Sequence, residues 1–78
     1  MKILYFASLK EAIDCASEQI DLESGTTVAN LRNQLIDRYG AHHFPENILC
    51  AVNQVLADDS LVLNDTDEVA FYPPVTGG

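Results

Sequence analysis

The sequence predicts a small α+β domain in which one main helix covers one face of a sheet of four to five strands. The chain has 78 residues, which is the size of one domain with one core. One segment has the periodicity of an amphipathic helix, and several others show the alternation typical of strands. Because a single helix cannot cover both faces of a sheet, we expect the second face to be partly open to solvent or to a partner.

The first two predicted strands form a hairpin at the amino terminus. In residues 3–7 both sets of alternating positions are apolar, which indicates a strand in the interior of the sheet. A polar stretch with room for a helical turn, residues 9–16, follows. Ile20 and Leu22 then alternate with polar residues, which predicts a half-buried strand paired with the first.

The main helix is predicted over residues 27–40. Thr27 has the side chain of an N-cap, and Gly40 is predicted to be a left-handed carboxyl-terminal stop. The apolar residues between them recur at i, i+3, i+7 and i+11, so they form one narrow stripe that faces the sheet. These residues are Val28, Leu31, Leu35 and Tyr39.

Two further strands are predicted in the carboxyl-terminal half. Residues 48–57 form the third strand, which ends or turns at Asn53-Gln54. Residues 61–63 are a short apolar piece within a turn-rich stretch. Residues 68–72 form the last strand, which stops at Pro73-Pro74 because proline has no N–H for a strand ladder.

The acidic composition limits the classes of partner. Twelve acidic residues against four basic ones give a net charge of −8. Nucleic acid and anionic membranes both require a positive surface, so neither is an expected partner. A basic protein surface is the natural complement of this charge, although solubility alone also explains the acidity.

Nothing in the chain predicts export or membrane insertion. The apolar run after Lys2 is shorter than the roughly 7–15 residues of a signal peptide, and no segment approaches the roughly 18 apolar residues of a membrane span. Cys15 and Cys50 stand alone, without the spacing of a metal site or a disulfide framework. We therefore expect a cytoplasmic protein with reduced thiols.

The predicted domain has no pattern of a catalytic or cofactor site. His42 and His43 are adjacent, so we expect them to point in different directions, and no ligand residue stands at a metal-binding spacing from them. The glycines do not form a nucleotide-binding loop. Cys50 lies in an apolar strand, where a buried and unreactive thiol is expected. The acidic residues within 58–59 and 65–68 indicate solvated turns or an acidic patch.

The chemistry is therefore predicted in the tail, residues 73–78, which we separate from the domain of residues 1–72. Pro73 and Pro74 stiffen its start, and its six residues reach about 20 Å at roughly 3.3 Å each. Gly77-Gly78 is narrow enough to enter a pocket of another protein, because glycine has no Cβ to clash. A terminal carboxylate becomes reactive only after activation, for example as a mixed anhydride with AMP. Another enzyme would have to supply that ATP chemistry.

Four segments carry a resemblance to a known family. They are ILYFASLKEA at residues 3–12, TVANLRNQL at 27–35, AVNQ at 51–54 and DEVAFYPPVTGG at 67–78. Through them the whole chain resembles the small, sulfur-carrying subunit of molybdopterin synthase, a ubiquitin-like β-grasp protein with a mixed sheet. Lys10 stands where that family usually has arginine, and Thr66 stands where it usually has glycine in a turn.

The resemblance implies a sulfur carrier with no bound cofactor and no catalytic activity of its own. An adenylating enzyme of the ubiquitin-E1 type would use ATP to activate Gly78, and a sulfur donor protein would convert it to a thiocarboxylate. Within the heterotetrameric synthase, the large subunit would receive the tail, and the sulfur would pass to cyclic pyranopterin monophosphate. The residues threaded into that subunit would be Pro73, Pro74, Val75, Thr76 and Gly77.

The last strand also predicts a docking surface. Val69 and Phe71 share one face and are expected under the helix, which leaves Tyr72 on the uncovered face beside the tail. Leu56 follows the Asn53-Gln54 turn and extends the same surface. We expect this surface to bind the large subunit, with Tyr72 as an aromatic anchor. A position of Tyr72 in the core is the alternative.

Three other functions stay open at this point. A thiamin-type sulfur carrier would have the same fold and the terminal glycines, but such proteins are usually shorter and lack FYPPVTGG. A ubiquitin-like modifier would join Gly78 to lysine amines of other proteins. A non-covalent interaction module would not need Gly78 at all.

Overall fold

The described part of the chain forms a sheet of five strands: β1 (Lys2–Tyr5), β2 (Ser17–Gln19), β3 (Leu49–Val52), β4 (Val55–Leu56) and β5 (Glu68–Tyr72). The computed structural model describes residues 1–45 and 47–74. The strand order is β2-β1-β5-β3-β4, so β5 is the central strand. β1 and β5 are parallel and the other neighbours are antiparallel, which confirms the predicted mixed sheet of an α+β fold.

The main helix, α2 (Val28–Tyr39), begins as predicted and ends at the predicted glycine. The Thr27 hydroxyl accepts a hydrogen bond from the Asn30 N–H at 3.2 Å. Gly40 has a φ of +106° and a ψ of 141°, so its backbone is not the left-handed helical stop that the sequence predicts. A Cβ at this position would lie 2.9 Å from the Cε1 atom of His42, so glycine also leaves room for that ring.

The apolar stripe of α2 packs on one face of the sheet. Val28, Leu31 and Leu35 are buried, and Tyr39 is half-buried against the same core. Each fully buried aliphatic or aromatic side chain contributes about 1.5–3 kcal/mol, so this layer is a main source of folding free energy. On the sheet side, the core residues come from β1, β3 and β5 and are Ile3, Tyr5, Cys50, Val52, Val69 and Phe71.

The amino-terminal segment differs from its prediction in two places. A helix, α1 (Ala7–Ile13), forms where the sequence predicts one strand residue and then a turn, and it is held to the core by the buried Leu9. The second strand ends at Gln19, before the alternating residues Ile20 and Leu22 that predict it. Those two side chains are half-buried at the edge of the core. Ile20 still exchanges backbone hydrogen bonds with Met1, at 3.0 and 3.1 Å, so the predicted pairing with the first strand continues one residue past β2.

Two turns, one between β3 and β4 and one just before β5, explain two further features of the sequence. Asn53 and Gln54 have φ values of +51° and +70°, as a two-residue type I′ hairpin turn requires. The predicted third strand is therefore two strands, β3 and β4, joined by that turn. Before β5, the Asp67 N–H donates to the Asn64 carbonyl at 3.0 Å across a turn without positive φ, so Thr66 fits where glycine is usual.

The connection between β4 and β5 docks against the start of α2. Leu63 is buried, and Val62 forms an isolated bridge with Thr27. The Val28 N–H donates to the Leu61 carbonyl at 3.0 Å, so this donor of the first helical turn has a partner within the fold. Among the residues that the structure describes, no helix combines the length and the apolar character needed to cross a membrane.

Candidate functional site

The central strand β5 contributes to both faces of the sheet. Val69 and Phe71 are fully buried on the face that carries α2. Ala70 and Tyr72 are half-buried and lie on the other face, because successive side chains of a strand point to opposite sides. The structure therefore places Tyr72 on the uncovered face, outside the buried core.

A row of apolar side chains crosses the uncovered face. Leu4 of β1 pairs with Ala70, and Ala70 pairs with Ala51 of β3. Ala51 pairs in turn with Leu56 of β4, so all four residues share one side of the sheet. The next pair toward the tail, Leu49 and Tyr72, lies on the same side of the sheet. We call these six residues the apolar strip: Leu4, Leu49, Ala51, Leu56, Ala70 and Tyr72.

Large exposed apolar side chains lie at both sides of the apolar strip. Leu56 is 65% exposed on the edge strand β4. Phe6 continues the alternation of β1 and is 45% exposed. Its N–H donates to the carbonyl of Phe71 at 3.3 Å, which places it next to Tyr72. Contiguous exposed apolar side chains of this kind are typical of an interaction surface.

The tail begins where the apolar strip ends. Pro73 and Pro74 follow Tyr72 directly and are half-buried. Pro73 also lines a groove of about 210 Å³ that includes Ser8 and His43. The strip and the start of the tail are therefore one continuous surface. The other predicted tail residues lie outside the described part of the chain, and they are Val75, Thr76, Gly77 and Gly78.

Among the described residues, ion pairs engage two of the four basic side chains of the chain. Arg32 pairs with Asp59, and Arg38 pairs with Glu18 at 2.6 Å. Lys2 lies on the uncovered face at the end of β1 that is farthest from the tail. With a net charge of −8, the molecule favours a partner with a basic surface.

A half-buried carboxylate that the sequence does not single out joins three elements on the covered side. Glu18 of β2 accepts a hydrogen bond from the Tyr5 hydroxyl at 2.9 Å and another from the Tyr39 hydroxyl. Arg38 donates to its second oxygen at 2.6 Å. Burial and then the Glu18 carboxylate raise the pKa of both tyrosines above the usual value. We interpret this cluster as structural, because it links β1, β2 and α2 away from the apolar strip.

The histidines and the buried cysteine do not form a site. The rings of His42 and His43 have centroids 3.9 Å apart, so the prediction that they point in different directions is wrong. Both lie in a 3₁₀ turn (Ala41–His43), after a glycine that leaves room for the first ring. In residues 1–45 and 47–74, no three His, Cys, Asp or Glu side chains are placed to hold a metal ion. Cys50 is buried as predicted, and burial raises the pKa of its thiol to about 11.

The sequence predicts Tyr72 and Leu56 in the uncovered surface but misses Leu4, Leu49 and Ala51. The available signal is that the strand segments containing these three residues are apolar at both sets of alternating positions, so one set has to face away from α2. The register with β5 decides which set does so. The contacts of Glu18 have no local signal, since its tyrosine partners are 13 and 21 positions away.

Comparison with known proteins places this geometry in a family. Residues 3–78 match the ThiS family. The chain is 41% identical over 80 residues to the molybdopterin synthase sulfur carrier subunit of Mycobacterium tuberculosis, and the match covers 100% of this chain and 96% of that protein.

Two solved structures have the same fold. Small archaeal modifier protein 1 of Haloferax volcanii matches with a TM-score of 0.84 at 24% identity, covering 100% of this chain and 98% of that one. A chain in the complex of subunits 1 and 2 of the molybdopterin-converting factor of Helicobacter pylori matches with a TM-score of 0.71 at 24% identity, covering 99% of this chain and 96% of that one. The fold is the ubiquitin-like β-grasp.

Proposed function

The chain belongs to the ThiS family, and from this premise we propose that it is the sulfur carrier of molybdenum cofactor biosynthesis. The observation that carries this proposal is the full-length match to a relative named as the sulfur carrier subunit of molybdopterin synthase. The family match extends through residue 78, so it includes both glycines of the tail. The proposal places the protein in the cytoplasm.

The geometry suits a protein that presents its tail to other proteins. β5 is the central strand and is paired on both sides, with β1 and β3, so the tail starts from the interior of the sheet. Proline favours an extended backbone at the point of departure. The four residues after Pro74 can reach about 13 Å into a partner at roughly 3.3 Å each. The partner would supply the pocket and the catalytic groups.

Gly78 is the reactive residue in this proposal. On an adenylating enzyme of the ubiquitin-E1 type, its carboxylate attacks ATP, pyrophosphate leaves and an acyl adenylate forms. The terminal sulfur of a persulfide on a sulfur donor protein then displaces AMP and forms an acyl disulfide. A second thiol attacks the donor's sulfur of that disulfide, which releases the thiocarboxylate and leaves a disulfide between the donor and the thiol. Ionised sulfur is a soft nucleophile, as in cysteine, so it suits transfer to cyclic pyranopterin monophosphate. Gly77 has no side chain to obstruct the passage of the tail.

The apolar strip is the proposed docking surface for the large subunit of molybdopterin synthase. It is continuous with the start of the tail, so one partner can bind the strip and receive Gly78 at the same time. Tyr72 lies at the junction and is the proposed anchor, because partly buried aromatic side chains are frequent hot spots of binding. Phe6 and Leu56 extend the surface on either side. The complex of two subunits that contains the H. pylori chain of the same fold supports this kind of partner.

Intact-mass spectrometry tests the carrier chemistry directly. The full chain is incubated with the adenylating enzyme, ATP and a sulfur source. Exchange of one oxygen for sulfur at Gly78 should add about 16 Da. Deletion of Gly78 should abolish the shift, whereas Asn33→Ala, on the exposed surface of α2, should leave it unchanged.

Two outcomes would contradict the carrier proposal. The first is a sulfur adduct of the same mass on the chain that lacks Gly78. The second is the accumulation of stable conjugates to lysines of other proteins in place of the thiocarboxylate, which would indicate a protein modifier instead.

A further inference from the structure

A second exposed apolar surface lies at the opposite end of the sheet from the tail. The Asn53 N–H donates to the carbonyl of Glu68 at 2.8 Å, so the β3–β4 turn lies beside the start of β5, whereas the tail leaves from its end at Tyr72. An open groove of about 770 Å³ lies next to this turn. Four of its apolar side chains, one of them Leu56 of the apolar strip, are 41–69% exposed. We call it the hairpin groove and define it by Val55, Leu61 and Val62 with Asp58 and Asp67.

The rim of the hairpin groove is acidic. Asp58 accepts hydrogen bonds from the Ser60 hydroxyl at 2.7 Å and the Ser60 N–H at 3.0 Å, and these bonds lower the pKa of its carboxyl. Asp67 accepts a bond from the Asn53 side chain at 2.9 Å, which fixes its position. Among the described residues, no arginine, lysine or histidine lines the groove. The groove therefore combines aliphatic side chains with uncompensated negative charge.

Beside this groove, the edge strand β4 has backbone groups with no strand partner among residues 1–45 and 47–74. Val55 pairs with Val52 next to the two-residue turn, and the Ala57 N–H donates to the carbonyl of Cys50 at 2.9 Å. Val55 and Ala57 direct their backbone groups toward β3. Leu56 lies between them, so its own N–H and C=O point to the outer edge of β4. Edge strands are usually protected by charge, proline or a covering segment, and β4 instead consists of two exposed aliphatic residues.

We propose that the hairpin groove binds an extended, basic segment of a partner protein, which adds to β4 as a further strand. The backbone of the segment would pair with Leu56, and its aliphatic side chains would contact Val55 and Val62. Its lysine or arginine side chains would face Asp58 and Asp67. In strand addition of this kind, main-chain hydrogen bonds provide the affinity and contacts of alternate side chains provide the specificity.

The charge of the chain argues against a second copy as the occupant. The chain has four basic residues against twelve acidic ones, and two of the four, Arg32 and Arg38, are in ion pairs. Two copies would therefore bring like charges together. The groove shares Leu56 with the apolar strip but lies at the far end of the sheet from the tail. The proposal thus goes beyond the carrier function and does not depend on Gly78.

Titration followed by nuclear magnetic resonance tests the proposal. The probe is an acetylated and amidated peptide of alternating lysine and valine, added to the full-length, nitrogen-15-labelled chain at low salt. We expect saturable shifts of the amides of Leu56, Asp58 and Val62, and none at Tyr72. The shifts should weaken with added salt, and a matched peptide of alternating glutamate and valine should not bind.

Variants locate the binding in the groove. Val62→Lys should weaken peptide binding about tenfold, because it replaces an apolar contact with a repelling charge. Asp58→Asn keeps the acceptor for Ser60 and should weaken binding less while reducing its salt dependence. Tyr72→Ala, on the apolar strip, is the matched control and should bind as tightly as the unchanged chain. Thermal unfolding checks that each variant is folded.

The proposal is overturned if no saturable shifts occur, if the glutamate peptide binds equally, or if only Tyr72→Ala weakens binding. Concentration-dependent dimerisation that Val62→Lys removes would assign the groove to a second copy and would also overturn it. Deletion of Gly78 should leave peptide binding unchanged, so a failure of the carrier proposal is distinguishable from a failure here.

Discussion

The covered and uncovered faces of the sheet come from the same strands but differ in what lies opposite them. On the covered face, Ile3, Val69 and Phe71 are completely buried against α2. On the uncovered face, their neighbours Leu4 and Ala70 are only half-buried. A chain of this size therefore covers only one face of its sheet to form the core, and the second apolar face is accessible for binding.

The strongest test of this division is truncation of the central side chain of the covered face. Phe71→Ala should lower the free energy of unfolding by about 3–5 kcal/mol, because it removes a buried aromatic ring and leaves a cavity. Tyr72→Ala, the next residue, should lower it by less than about 1 kcal/mol, since its ring is outside the core. Denaturant unfolding measures both values. Equal losses would mean that the two faces do not differ in their contribution to folding.

The hydrogen bonds of Glu18, at the polar edge of the covered face, should have the next largest effect on the free energy of unfolding. Glu18→Ala removes the acceptor of the Tyr5 and Tyr39 hydroxyls, and we expect a loss of about 2–3 kcal/mol because hydroxyl groups in the core are left unpaired. Glu18→Gln keeps an acceptor and should lose less. The same denaturant experiment applies. A Glu18→Ala chain as stable as the unchanged protein would refute the structural interpretation of this cluster.

Alkaline pH should destabilise the covered face through Cys50. The thiol has its pKa raised from 9.0 to about 11 by burial, so the folded state keeps a proton that the unfolded state loses. The resulting stability is fully present below pH 9 and is lost as the pH rises toward 11, by about 3 kcal/mol in total. Unfolding measured from pH 8 to 10 should show this slope. Cys50→Ala should flatten it and Cys15→Ala should retain it, and a slope unchanged in Cys50→Ala would contradict the assignment.

Substitutions on the uncovered face should weaken the binding of the partner. Tyr72→Ala should weaken the affinity for the large subunit of molybdopterin synthase about tenfold, because it removes the proposed anchor. Leu56→Ser should have a similar or smaller effect, and Ser24→Ala, in an exposed turn, is the control. Isothermal titration calorimetry measures these affinities. If Tyr72→Ala and Leu56→Ser both bind normally, the apolar strip is not the docking surface.

Local patterns predicted much of the fold because the main elements carry their own signals. Thr27 caps α2, Gly40 ends it, and Asn53-Gln54 forms the hairpin turn where the sequence places it. β2 was placed too late in the chain because its residues, Ser17–Gln19, carry no apolar alternation, although Ile20 does exchange hydrogen bonds with Met1. α1 was underestimated because only one of its residues, Leu9, is buried, which is too little for a periodic signal.

The candidate surface was predictable only in part. The alternation of β5 was enough to place Tyr72 opposite the core, and the position of Leu56 after the hairpin turn pointed to the same face. The remaining members of the apolar strip depend on how β1 and β3 align with β5. The exposed edge of β4 beside the hairpin groove likewise follows from the strand order, since no local pattern identifies an outermost strand.

By itself, the sequence determined where the backbone forms and leaves regular structure, because caps, turns, prolines and side-chain periodicity act over a few residues. It also determined that β1 has apolar residues on both of its faces. Only the tertiary structure decided that Leu4, Ala70 and Ala51 share the uncovered face, and that Glu18 meets tyrosines 13 and 21 positions away. These contacts depend on the order and register of strands that are distant in the chain, which no short segment specifies.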